Sequence, residues 1–180
     1  MSAKNHLRVQ GRSQIEVTDI VKKTAAEFGE IAEAKDLIWL RDFLLHKINI
    51  LPYDETTQAH EASIRWKRTA SEILEDGYVY DTKYCTDVVI VYCALCRAMG
   101  LETRFLKLIR KDGNATHSIA EIKLPEGWYF FDVAIRNTEP SLGELDEYSE
   151  YKVWKLWGKD KDAWSLGLKK KKSISKLWNG

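Results

Sequence analysis

Cys85, His117 and Asp132 are the residues of this 180-residue chain whose types and order could do covalent chemistry. A cysteine attacks as its thiolate, so it needs a base to take its proton and later return it to a leaving group. That base in turn needs a third group to orient it. Cys85 falls where a polar and aromatic loop, residues 78–84, meets a run of helical period. The unpaired N–H groups and the positive dipole end of a helix start would favour the thiolate there. Of the four histidines, His6 lies in the N-terminal segment, His46 near the end of an apolar helix and His60 at a helix start, which leaves His117 on a strand. Leu124-Pro125-Glu126-Gly127 has the preferences of a type I turn and would pair Leu124 with Gly127. Asp132 then stands opposite Ile119 and diagonal to His117, at a Cβ separation of roughly 7 Å. A bulge in the hairpin would shift that register by one residue. Taken singly, Cys85 and His117 read more readily as packing or structural residues; the three together point to nucleophilic catalysis. An oxyanion site would use the Cys85 backbone N–H, with Tyr78, Tyr80 and Tyr84 as candidates for a second donor and the pocket wall.

The elements that must hold these residues are legible from hydrophobic period. Thr18 is placed to cap a helix carrying Ile20, Val21, Ala25 and Phe28, with Gly29 as its stop. Residues 36–49 read as a more deeply buried helix ended by Pro52, and residues 60–75 as a third amphipathic helix closing before Asp76-Gly77. From Cys85 to Met99, Val88, Val89, Tyr92, Leu95, Cys96 and Met99 share one helical face, and Gly100 stops it. The period then changes to two over residues 102–110, 116–124 and 128–133, separated by Asp112-Gly113-Asn114 and by the Pro125 turn. Helices followed by an antiparallel meander predict an α+β fold. One domain is expected, with a core over about 18–135, flexible residues 1–14, and a basic, tryptophan-bearing C-terminal extension over 150–180. In that extension Trp164 is expected to pack and the lysines at 169–172 to be solvated and dispensable.

Composition narrows the classes. With 44% hydrophobic and 31% charged residues the chain is globular in type and not disordered. Residues 1–13 lack an apolar leader segment and no run reaches membrane-spanning length, so a cytoplasmic location with reduced thiols is expected. Residues 1–150 hold 19 Lys and Arg against 25 Asp and Glu, and residues 151–180 hold 9 against 2, giving −6 and +7. The body therefore carries no basic footprint for nucleic acid; the tail carries a small one. A zinc site from Cys85, Cys93, Cys96 and His117 is excluded by helical rise, since Cys93 and Cys96 lie roughly 12 and 16 Å along the helix from Cys85. Cys93-x-x-Cys96 sits mid-helix, where a redox pair is not expected. No metal or cofactor is called for.

The order and spacing of Cys85-Thr-Asp87, Ala94-Leu-Cys-Arg-Ala-Met-Gly100 with Arg104, His117-Ser-Ile-Ala-Glu121-Ile and Trp128-Tyr-Phe-Phe-Asp132 resemble the transglutaminase-like core. The resemblance covers about residues 20–132, and more loosely Asp162-Ala-Trp164-Ser-Leu-Gly167. It implies a papain-like fold, N-terminal helices with a central cysteine helix on an antiparallel sheet, and cysteine-dependent acyl transfer at a protein or peptide amide. Cys85, His117 and Asp132 would be its nucleophile, base and orienting acid. The chain departs from the family pattern in having Lys83-Tyr84 before the cysteine, Ser118-Ile119 after the histidine and Val133 after the aspartate. A second reading from another class is a binding module that uses the interlobe groove without turnover.

Overall fold

The structure, a computed structural model, describes residues 13–177. Helices α1 (Asp19–Phe28) and α2 (Ala34–Lys47) come first. Strand β1 (Asn49–Leu51), helices α3 (Gln58–Ile64) and α4 (Ala70–Asp76), and strand β2 (Tyr78–Tyr80) follow, with β1 and β2 pairing in parallel. The central helix α5 (Cys85–Ala98) leads into strands β3 (Thr103–Arg110), β4 (Thr116–Leu124), β5 (Gly127–Phe131), β6 (Ser141–Leu142), β7 (Glu150–Tyr151) and β8 (Trp154–Asp160). These form one antiparallel sheet in the order β6-β5-β4-β3-β8-β7. A 3₁₀ segment, Lys171–Leu177, closes the described chain. The α+β expectation holds.

Helix α5 is apolar on almost every side, as a helix packed between other helices and a sheet must be. Val88 to Cys96 are all fully buried. They form the main core with Leu37, Leu40 and Leu44 of α2 on one side and Phe105, Ala120, Ile122 and Phe131 of the sheet on the other. A second, smaller cluster of Leu106, Leu108, Ile119 and Leu145 covers the opposite sheet face with Phe130, Tyr151, Trp154 and Leu156.

Local chemistry changes three expected boundaries. The second helix ends at Lys47, because the chain leaves it to pair β1 with β2, and residues 78–80 of the expected loop are that partner strand. The third helix is two: Arg65 leaves helical geometry, Trp66 takes φ 61°, and Thr69 restarts α4 through a reciprocal capping box with Glu72. The C-terminal segment is integral to the fold. β8 pairs with β3, and Trp164 donates its indole N–H to the Trp66 carbonyl at 2.6 Å. Ser13 and Gln14, expected to be flexible, are held as well, by Asp162 and by the carbonyls of Trp66 and Arg68. Residues 1–12 of that segment lie outside the described residues.

The lysines at 169–172 are exposed as expected, while beyond them Leu177 packs, 2% exposed, within the main core. Leu177→Ala should lower the unfolding free energy by about 2–4 kcal/mol through lost burial and a residual cavity. Urea titration checks this; a midpoint equal to the parent's would show that the segment does not pack in solution.

Candidate active site

Cys85 is the first residue of α5 and is partly exposed, whereas Cys93 and Cys96 are buried further along the helix. The hairpin of β4 and β5 has the unbulged register read from its turn, with Leu124 opposite Gly127 and Ala120 opposite Phe131. Asp132 is the residue just past the end of β5. Its Oδ2 lies 2.8 Å from His117 Nε2, with both side chains almost wholly buried. The other ring nitrogen, Nδ1, is not used by Asp132, and Cys85 and His117 border the same cavity, close enough for each to shift the other's proton affinity.

The three groups meet around the end of the sheet. Ser118 and Ala120 face α5, while His117 shares the parity of Ile119, on the face of the smaller cluster. His117 reaches the thiol because it is the second residue of β4, where the sheet ends beside the N-terminus of α5. On that outer face Trp154 of β8 stacks on the imidazole, with ring centroids 5.3 Å apart and planes inclined by 29°. Tyr151 lies against Asp132; burial first, then the Asp132 charge, raises its phenol to about 12.

The electrostatics favour an ion pair. Burial disfavours the Cys85 thiolate, but the hydrogen bond from His117, the positive charge of Lys107 and a hydrogen bond from Ser118 outweigh it and bring the thiol down to about 6. Burial likewise disfavours the imidazolium, and bonding to Asp132 and Cys85 overcomes it, raising His117 to about 9. Between those values the thiolate and imidazolium coexist. Cys93, where burial outweighs a hydrogen bond with Thr103 and the charge of Arg97, is pushed up to about 12.

Lys107 is the component that sequence reading missed. A lysine on a strand ordinarily points to water, yet this one is 1% exposed, on the α5 side of β3 opposite Ser118. Its Nζ donates to Ser118 Oγ at 3.1 Å and Thr86 Oγ1 at 3.4 Å and stands 4.9 Å from the centroid of the Trp66 ring. Burial lowers its affinity for a proton and the neighbouring Cys85 thiolate restores part of it. Lys107→Met is therefore expected to raise the pH at which Cys85 is alkylated, with Lys107→Arg restoring part of the shift. An unchanged pH dependence would show that this charge does not reach the sulfur.

Two cavities adjoin Cys85. One, of about 180 Å³, is bordered by Tyr84, Thr116, His117, Ala134 and Ile135. The other, of about 280 Å³, is bordered by Arg65, Trp66, Lys83, Lys107 and Asn114. Thr82 borders both and has φ 59°, so two of the chain's left-handed non-glycine residues, Trp66 and Thr82, lie at this site. Such strain collects where geometry serves function. Of the tyrosines singled out from sequence, Tyr84 walls the smaller cavity and donates its hydroxyl to the Ala134 carbonyl at 3.2 Å. Tyr80 is tied to His60 Nδ1 at 2.7 Å, and Tyr78 lies under Arg68; neither borders these two cavities. Asp87, in the first turn of α5, forms an ion pair with Arg68 at 2.5 Å. Arg97 binds Thr103 and fixes the turn from α5 into β3, whereas Arg104 stays on the sheet with Glu121. Among the described residues no cluster of three or more His, Cys, Asp or Glu side chains could hold a metal ion, and no helix is long and apolar enough to cross a membrane.

Comparison with known proteins agrees with the fold. The model of the transglutaminase-like superfamily matches residues 39–133. No curated protein matches the chain. Among solved structures, a candidate cysteine protease from Cytophaga hutchinsonii superposes with a TM-score of 0.56 at 16% identity, over 86% of this chain and 48% of that one. This chain thus spans about half the length of that protein. LapG of Legionella pneumophila superposes with a TM-score of 0.53 at 17% identity, over 87% of this chain and 82% of its own. At these identities the likeness is one of fold.

Proposed function

Because the chain belongs to the transglutaminase-like superfamily, we propose that it catalyses cysteine-dependent acyl transfer at an amide of a protein or peptide. The observation that supports this reading is one imidazole that is bonded to a buried carboxylate and borders the same cavity as a thiol at a helix start. The Cys85 thiolate attacks the amide carbonyl carbon, and negative charge moves to the carbonyl oxygen. The Cys85 backbone N–H, one of the donors the first turn of a helix leaves unused, would receive that charge. The His117 imidazolium gives its proton to the departing nitrogen, the C–N bond breaks, and a thioester remains on Cys85. Neutral His117 then takes a proton from the incoming water or amine, whose attack releases the acyl group and restores the thiolate. Asp132 holds the imidazole in the tautomer and orientation that both steps require.

Intact-mass analysis after exposure to a peptide bearing an acyl-directed electrophile tests this directly. One adduct is expected on the parent protein and none on Cys85→Ala. An adduct retained by Cys85→Ala, or none on either protein, would refute the catalytic reading and favour a binding module.

A further inference from the structure

We propose that the larger cavity beside Cys85, bordered by Arg65, Lys83 and Lys107, is the acyl-side subsite and that it takes an acyl group bearing a carboxylate. The inference rests on Cys85 acting as the nucleophile, and it adds which side of the scissile bond lies where and what charge the substrate carries.

Direction follows from proton transfer. The imidazolium must reach the leaving nitrogen, so the leaving group occupies the cavity that His117 borders, beside Ala134 and Ile135. The acyl substituent projects to the other side of the sulfur, into the larger cavity.

Charge follows from the lining, which contains three cationic side chains and no aspartate or glutamate. Glu61 binds Arg65 through both its carboxylate oxygens and so offsets one of the three. Among the described residues, no salt bridge joins Lys83 or Lys107 to a carboxylate: Lys83 Nζ stands over the Tyr53 ring at 4.7 Å, and Lys107 donates to two hydroxyls. In the free protein the Cys85 thiolate is the anion nearest Lys107 in effect. Acylation removes that charge, because a thioester is neutral, and leaves a buried ammonium uncompensated unless the acyl group brings an anion of its own. A carboxylate in this cavity would offset Lys107 at that step, with Lys83, less buried than Lys107, and Asn114, a neutral donor, also in the lining.

Peptidyl chloromethyl ketones with Glu, Gln or Lys at the acyl position test the subsite. The thiolate displaces chloride and forms a thioether, so the modification rate is read by intact mass. The Glu probe should react roughly tenfold faster than the Gln probe and faster still than the Lys probe, as expected for a partly buried charge pair. The Glu to Gln rate ratio should shrink with added salt. In Lys83→Met the ratio should fall severalfold, each variant's own Gln rate serving as the control for folding and for thiol reactivity. Equal Glu and Gln rates on a protein whose Cys85 still reacts with iodoacetamide would overturn the subsite while leaving the proposed function standing. A Cys85 that reacts with none of these reagents would overturn both.

Discussion

His117→Ala is expected to lower amide turnover by about four to six orders of magnitude, the range found when one member of a nucleophile, base and acid set is removed. Two losses combine in that number. The thiol loses the hydrogen bond and charge that offset its burial, so its value rises from about 6 toward the ordinary thiol range, and less thiolate is present at neutral pH. The leaving nitrogen loses its proton donor, a deficit that raising the pH cannot repair. Activity in the variant should therefore stay low even where Cys85 is fully ionised, and that separates acid catalysis from simple thiol activation. Asp132→Asn should give a smaller loss, since the base remains and only its orientation and charge support are weakened. Turnover by His117→Ala within tenfold of the parent would remove the imidazole from the mechanism.

The second large effect is on stability. Glu121 lies on the same face of β4 as His117 and is wholly buried. It accepts from Arg104 at 3.3 Å, from Lys159 at 3.4 Å and from the Leu145 backbone N–H at 2.8 Å. Through these bonds it ties β4 to β3, to β8 and to the loop before β7. Replacing it by alanine leaves a buried N–H unpaired, removes the shared counter-charge of two cations and opens a void, at a cost of about 3 kcal/mol. Arg104 and Lys159 are partly exposed and keep Glu144, which holds the loss below that of a fully enclosed pair. Guanidinium titration of Glu121→Ala checks this, and a loss under about 1 kcal/mol would show the network to be dispensable.

How far the sequence could be read depended on whether the signal was local. Cys85 at a helix start follows from the unbroken apolar period behind it, and the register bringing Asp132 to His117 follows from Pro125 and Gly127, which set the turn within four residues. The break between α3 and α4 was also local, in Thr69 and Glu72, but the apolar stripe running through residues 60–75 masked it. β8 was obscured for a different reason. Leu156 packs on the smaller cluster and Trp157 on the main core, so both faces of the strand are apolar, and its pairing with β3 shifts register between Lys107 and Leu108; no clean polar alternation marks it. Lys107 and Trp154 acquire their roles only through tertiary neighbours, Ser118 and Thr86 for one and His117 for the other. Nothing in the residues flanking either one announces that.

The central claim is that Cys85 rests as a thiolate paired with imidazolium, and the pH dependence of its alkylation tests this most directly. Brief iodoacetamide treatment across pH 5–10, with the modified cysteine located by peptide mass, should label Cys85 first. Its rate should rise through a midpoint of about 6, while Cys93, pushed up to about 12 by burial, stays unlabelled. A midpoint in the range of a free thiol, about 8.5, or equal labelling of Cys85 and Cys93, would contradict the account.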